Sequence, residues 1–178
     1  MHFYCEHCKK EYPIATHAYV CECGGLFRLY QSAMDADDRH EAVTLGEAET
    51  PLLPLVIDGC CFYFKMEDRQ PTGSFKDRGA KRLIGELTYL GIDHVAVDSA
   101  GNAGAAVAAY AAAAGMTCRV YVPDDISAER AKQITAYGAE VVRVANGRMN
   151  ASSTLHAELG SDYYASHVYN PLFADGIK

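Results

Sequence analysis

His94-Val95-Ala96-Val97-Asp98-Ser99-Ala100-Gly101-Asn102-Ala103-Gly104-Ala105-Ala106 is the stretch on which the fold turns. A strand-length apolar run stops at Asp98, a loop of small residues follows, and a run of alanines begins at Ala103 and closes at Gly115. The same rhythm repeats downstream. Cys118–Val122 reads as a strand, about Ser127 to Tyr137 as a helix ended by Gly138, and Glu140–Val144 as a strand. A helix from about Asn150 to Leu159 and a short strand near Tyr163–Ala165 complete it. Upstream, Ala80, Leu83, Ile84, Leu87 and Leu90 recur at helical spacing before Gly91. Cys60 to Met66 is an apolar, aromatic strand, preceded by the extended Thr50-Pro51-Leu52-Leu53-Pro54-Leu55. Strands alternating with helices of about 10–12 residues predict an α/β fold, a parallel sheet with helices on both faces.

Composition narrows the function classes. The 178 residues carry 16 Lys+Arg against 23 Asp+Glu, a net charge of -7, and no basic stripe offsets it. Nucleic-acid and anionic-membrane surfaces are therefore not expected. Nowhere do about 18 uncharged apolar residues run together, so no membrane span is expected. The start, Met1-His2-Phe3-Tyr4-Cys5-Glu6, lacks the charged and apolar regions of a signal peptide. An odd count of 7 cysteines without such a signal favours reduced thiols and a cytoplasmic location.

Residues 1–30 read as a small zinc ribbon. Cys5-Glu6-His7-Cys8 and, twelve residues later, Cys21-Glu22-Cys23-Gly24-Gly25 bring two close pairs of thiols within reach of one metal ion. Four thiolates at ~2.3 Å would satisfy a tetrahedral Zn²⁺, whose binding supplies folding energy that so short a segment lacks. Gly24-Gly25 suits the tight turn of a knuckle. His7 or His17 could replace one thiolate, and a redox dithiol or a metal-free ribbon are the alternatives. Residues 31–50 form an acidic linker or short surface helix, dominated by Asp35, Asp37, Asp38, Glu41, Glu47 and Glu49. Cys60, Cys61 and Cys118 sit in apolar runs and are expected in the core.

Two segments break ordinary rules. In Pro71-Thr72-Gly73-Ser74-Phe75-Lys76-Asp77-Arg78-Gly79, Ser74 and Asp77 stand three apart as in a capping box, which predicts a helix from Phe75. Lys76 then falls in the first turn, where the helix dipole disfavours a cation; that is the condition for a nucleophilic amine. The alternative is a solvated surface lysine. Phe75 is either core or a face against a planar ring. The second segment is the Asp98–Ala106 loop and helix entry. Its small residues and free N–H groups suit an anion such as a carboxylate, or simply a tight βα turn. A dinucleotide site, with Asp124 downstream, is disfavoured because its fingerprint needs glycine where Ala103 stands.

Taken together, Gln70-Pro71-Thr72-Gly73-Ser74-Phe75-Lys76-Asp77-Arg78-Gly79-Ala80 and Ser99-Ala100-Gly101-Asn102-Ala103-Gly104 resemble the fold-type II pyridoxal-phosphate enzymes. Threonine synthase is the most similar branch, with threonine dehydratase and cysteine synthase as cousins. The cysteine-rich start and the ending Asn170-Pro171…Asp175-Gly176-Ile177-Lys178 fit the same branch. The resemblance implies a tryptophan synthase β-like architecture, pyridoxal phosphate as cofactor and an amino acid as substrate. By position, Lys76 would carry the cofactor as a Schiff base and shuttle the α-proton. Phe75 would pack near its ring and Asn102 would bond its phenolic oxygen. Ser99, with N–H groups of Gly101, Asn102 and Ala103, would hold the substrate carboxylate. The implied chemistry is elimination or replacement at the β or γ carbon, O-phosphohomoserine to threonine in that branch.

Three departures accompany the resemblance. Ala100 stands where family members commonly carry Ser or Thr. Val168 and Phe173 replace a serine and an arginine that bind the substrate phosphate, leaving Arg130 and Lys132 as anion contacts or as solvated helix residues. The glycine-rich phosphate loop and the residue facing the pyridine nitrogen belong to a second half of the large domain, expected beyond Lys178. The expected layout is a zinc ribbon (1–30), the acidic linker (31–50), the first limb of the cofactor domain (51–91), a small α/β domain (92–167) and a return segment (168–178). Turnover by the isolated chain is expected to be negligible because half its cofactor cage is absent, and a complementary C-terminal half or a homo-oligomer is the expected partner. The competing readings are a catalytically dead zinc-ribbon binding or regulatory module, and a related enzyme of the dehydratase or β-replacement type.

Overall fold

The computed structural model describes residues 1–32 and 43–178. Strands β1 (His2–Cys5), β2 (Glu11–Tyr12) and β3 (Phe27–Tyr30) form an antiparallel sheet of order β2-β1-β3. Alternation along β1 turns Phe3 and Cys5 inward to meet Phe27. β4 (Leu52–Ile57) and β5 (Cys60–Lys65) make a separate two-stranded hairpin. Its turn residues Asp58 and Gly59 have φ of 50° and 78°, the left-handed pair that an Asp-Gly hairpin turn requires.

The remaining chain alternates as α1 (Lys76–Tyr89), β6 (His94–Val97), α2 (Asn102–Ala113), β7 (Thr117–Pro123), α3 (Ala128–Ala136), β8 (Glu140–Val144), α4 (Arg148–Glu158), β9 (Tyr163–Tyr164) and α5 (Pro171–Ile177). β6 to β9 form one parallel sheet of order β8-β7-β6-β9. Val95, Val97, Val120 and Val122 share a core with α1 and α2, while Ala96 and Tyr121 face Ala151 and Leu155 of α4. Helices therefore cover both faces, as the alternation of elements predicts. The chain steps from β6 to β7 to β8 and then returns to the far side of β6 to lay down β9. That reversal opens a crevice at the carboxyl ends of the strands, where ligands of open α/β sheets bind.

Several expectations need correction. Cys60 and Cys61 are exposed, not core, because both faces of the two-stranded ribbon lie uncovered among the described residues; Val56 and Tyr63 are 69% and 68% exposed. Cys118 is buried as expected. Helix α1 starts at Lys76 rather than Phe75, and no capping box forms. Asp77 instead reaches back to accept from the Thr72 N–H at 2.7 Å and from the Thr72 hydroxyl, stitching down the turn before the lysine. The linker reading for Asp35, Asp37, Asp38 and Glu41 lies outside the described residues. Glu47 is no solvated linker acid: it accepts from the Tyr110 O–H at 2.5 Å and pairs with Lys81 at 3.2 Å.

Helix α5 was not anticipated, although its start signal is present. Asn170 caps it, accepting from the Leu172 N–H at 3.0 Å, and Pro171 opens it. It lies so close to α1 that a Cβ on Gly176 would stand 2.4 Å from the Arg78 carbonyl, and one on Gly79 2.5 Å from the Phe173 ring. Glycine on both sides allows this crossing.

Candidate active site

Helix α1 delivers Lys76 to the crevice from its first turn, braced by the Asp77–Thr72 stitch beneath it. Its Nζ makes no hydrogen bond or ion pair among the described residues. It stands instead over two aromatic rings, 4.6 Å from the Phe75 centroid and 5.7 Å from that of Phe173. Phe75 is 42% exposed and so is not a core residue, and its ring is not among the residues that line the cleft.

The loop after β6 supplies the facing wall. Ser99 Oγ accepts from the Gly101 N–H at 3.4 Å, which folds the loop onto the start of α2. Gly104 makes this fold possible: a Cβ there would stand 2.0 Å from the Ser99 carbonyl oxygen. Gly101 is the N-cap of α2, and no side chain caps the helix, so the first-turn N–H groups of Asn102 and Ala103 have no intrahelical partner. Asp98, at the head of the loop, accepts from the Tyr164 O–H at 2.7 Å.

Lys76, Ser99, Gly101, Asn102 and Ala103 all line one open cleft of about 470 Å³. The structure thus brings together every cleft residue expected from sequence except Phe75, which borders it through Lys76. The same cleft is lined by Arg130, Arg148 and His167, whereas Lys132 is exposed outside it. Sequence reasoning named Arg130 but missed Arg148 and His167. Both follow the carboxyl ends of strands, which is the signal that could have found them. The Nδ1 of His167 is buried without a partner. Burial, with Lys76 and Arg148 nearby, pushes its imidazole below the ordinary histidine range.

The thiol cluster lies in the three-stranded module. Sγ atoms of Cys5, Cys8, Cys21 and Cys23 all fall within 4.8 Å of one another, with Cys5–Cys23 and Cys8–Cys21 at 3.5 Å. Tetrahedral Zn–S bonds of ~2.3 Å require sulfurs about 3.8 Å apart, so the donor set fits such an ion. N–H groups of His7 and Cys8 both point at Cys5 Sγ from 3.4 Å, favouring a thiolate. The Tyr12 hydroxyl, 3.1 Å from Cys21 Sγ, is the main influence that brings that thiol down to about 6. Gly25 has no alternative, since a Cβ would stand 2.5 Å from Cys5 Sγ. His7 Nδ1 lies 3.9 Å from Cys23 Sγ, beside the cluster, and His17 lies against Tyr163 instead.

An unpaired lysine amine in a crevice at the switch point of a parallel sheet, facing a loop with free N–H groups, belongs to a recognised class of enzyme. The chain belongs to the pyridoxal-phosphate dependent enzyme family, whose sequence pattern matches residues 43–178. Within that family it is threonine synthase-like. It is 32% identical over 175 residues to the threonine synthase of Synechocystis sp., covering 93% of this chain and 46% of that protein. It is 38% identical over 125 residues to that of Halalkalibacterium halodurans, covering 67% and 35%. Serine racemase from Dictyostelium discoideum shares the fold with a TM-score of 0.67 at 28% identity, over 78% of this chain and 48% of that one. The chain spans about half the length of the curated relatives it matches. No helix among the described residues is long and apolar enough to cross a membrane.

Proposed function

We propose that this cleft is the lysine-bearing half of a threonine synthase-like site, acting on an amino acid by elimination or replacement at the β or γ carbon, with O-phosphohomoserine as substrate. The observation that carries this reading is the meeting of Lys76 with the Ser99–Ala103 loop across one cleft. The donor set fits the cofactor: an amine without a carboxylate partner can hold an aldehyde, the Phe75 ring stands beside that amine, and Asn102 lines the same cleft. When bound, pyridoxal phosphate supplies an electron sink for charge developing at the substrate α-carbon. Lys76 Nζ would accept the α-proton and return it. The first-turn N–H groups of Asn102 and Ala103, with the Ser99 hydroxyl, hold the substrate carboxylate and so fix which bond at the α-carbon is broken.

Cys5, Cys8, Cys21 and Cys23 are read as a structural zinc site. The uncovered apolar hairpin β4–β5 is read as the surface against which a second half of the large domain packs, whether it comes from the same gene product or from a partner. Borohydride reduction with pyridoxal phosphate, followed by peptide mass mapping, tests the reading without relying on turnover. A pyridoxyl group on Lys76 is the expected result, absent in Lys76→Ala. Labelling spread over surface lysines instead would remove the basis for it.

A further inference from the structure

The cations of the cleft stand where their helices disfavour them. Arg148 is the first residue of α4, Arg130 the third of α3, and Lys76 the first of α1. A helix N-terminus carries partial positive charge and repels a cation in its first turn. Neither guanidinium has a hydrogen bond or ion pair among the described residues to offset that cost, the one side-chain contact of Arg130 being its backbone N–H on the Ser127 cap. The uncapped start of α2 opens on the same cleft and adds to its positive field. Asp98, the one carboxylate on the wall, already accepts from Tyr164. A cleft that gathers unpaired cations and helix N-termini is built to receive an anion.

The side on which that anion sits is also set. Toward α5 the lysine meets the buried Phe173 ring, which is pressed against Gly79, and Val168, just before α5 in the chain, is apolar and exposed. Neither can pair with an anion. Arg130 and Arg148, on the α3 and α4 side, offer planar guanidinium forks suited to bidentate pairing with phosphate or carboxylate oxygens.

We propose that Arg130 and Arg148 form a specificity-determining subsite for the distal acidic group, phosphate or carboxylate, of the amino-acid substrate. This rests on reading the cleft as an amino-acid site. The Ser99–Ala103 loop takes the α-carboxylate and the arginine pair takes the far end. The substrate is then selected by carrying two anions, and the selecting residues lie in the first turns of α3 and α4.

The test is calorimetric titration of the 178-residue chain, without cofactor and at low salt, with O-phospho-L-homoserine, L-glutamate and L-homoserine. At least one of the two anionic amino acids is expected to bind about ten-fold or more tighter than homoserine, as charge-assisted pairs would give. Tighter phosphohomoserine assigns the subsite to phosphates and tighter glutamate to carboxylates. In either case Arg148→Gln and Arg130→Gln should each remove most of the preference, while Lys132→Gln, outside the cleft, leaves it intact. Absence of any preference for the anionic amino acids, or a preference that survives both arginine substitutions, overturns the proposal. So does a result in which Arg148→Gln weakens labelling of Lys76 by pyridoxal phosphate relative to pyridoxal but spares amino-acid binding, because the subsite then belongs to the cofactor's phosphate. Lys76 labelling of the unaltered chain reports on the cofactor reading separately, so the two can fail independently.

Discussion

At the scale of single residues, the site depends on positions where a side chain is missing. Gly104 lets the loop after β6 return onto α2, with the Ser99 carbonyl lying where a Cβ would go. The obstructing atom is backbone and cannot rotate away, so Gly104→Ala has to displace the loop or the helix. We expect a loss of about 1–3 kcal/mol of stability, the range for overpacking, together with reduced labelling of Lys76 by pyridoxal phosphate. Unaltered melting and labelling would mean that the loop does not press on the helix as described. Lys76 depends on its neighbours in another way. Two aromatic rings border its amine, and Asp77 is turned away to hold Thr72, so no carboxylate pins the nitrogen.

Among the elements, the thiol module is tied to the α/β layer by its 14–19 loop. Tyr163 donates to the Ile14 carbonyl at 3.1 Å, and the Tyr19 ring packs against His156 at 4.2 Å and edge-on to Tyr164 and Tyr169. Tyr164 in turn holds Asp98 at the head of the cleft loop. With so little apolar core of its own, the module would gain order from a metal held by its four thiols. One equivalent of zinc is expected by metal analysis. Cys21→Ser or chelation should remove it and raise amide exchange from residue 14 to 19 and around Tyr163. Metal-free protein with unchanged exchange would contradict this.

For the whole molecule, two buried-edge carboxylates join segments distant in sequence. Burial opposes the charge of Glu47, but hydrogen bonds from Tyr110, Leu45 and Thr44 outweigh it and bring its carboxyl down to about 2. The Arg78 guanidinium, with help from Thr50 and against some desolvation, brings Glu67 to about 2 as well. Both lie below the ordinary 4.5, so the unfolded chain binds more protons through that interval. Their contribution is full above about pH 4.5 and is lost as the pH falls toward 2. Thermal melts from pH 5 to 2 should show a steep fall that the pair Glu47→Gln and Glu67→Gln flattens. An equally steep fall in the double variant would place the acid sensitivity elsewhere.

Much of this was legible in the order of residues. Periodicity and glycine stops located the alternating strands and helices to within about two residues, because local patterning and burial on a layered sheet agree. The spacing of Cys5, Cys8, Cys21 and Cys23 marked the thiol set, and the segments around Lys76 and Asn102 carried the resemblance to the family that the chain belongs to, because short motifs of this kind are continuous in sequence. What was not legible depends on which surfaces meet. Cys60 and Cys61 look like core residues, yet lie exposed because no layer among the described residues covers their hairpin. Arg148 and His167 are ordinary in their own segments and become cleft residues only because the chain reverses direction across the sheet and brings the carboxyl ends of β8 and β9 beside that of β6. The sequence by itself determined the elements, the lysine and the thiol set; the tertiary structure alone decided which charges share a cleft, because strand order is set by long-range packing that no local pattern encodes.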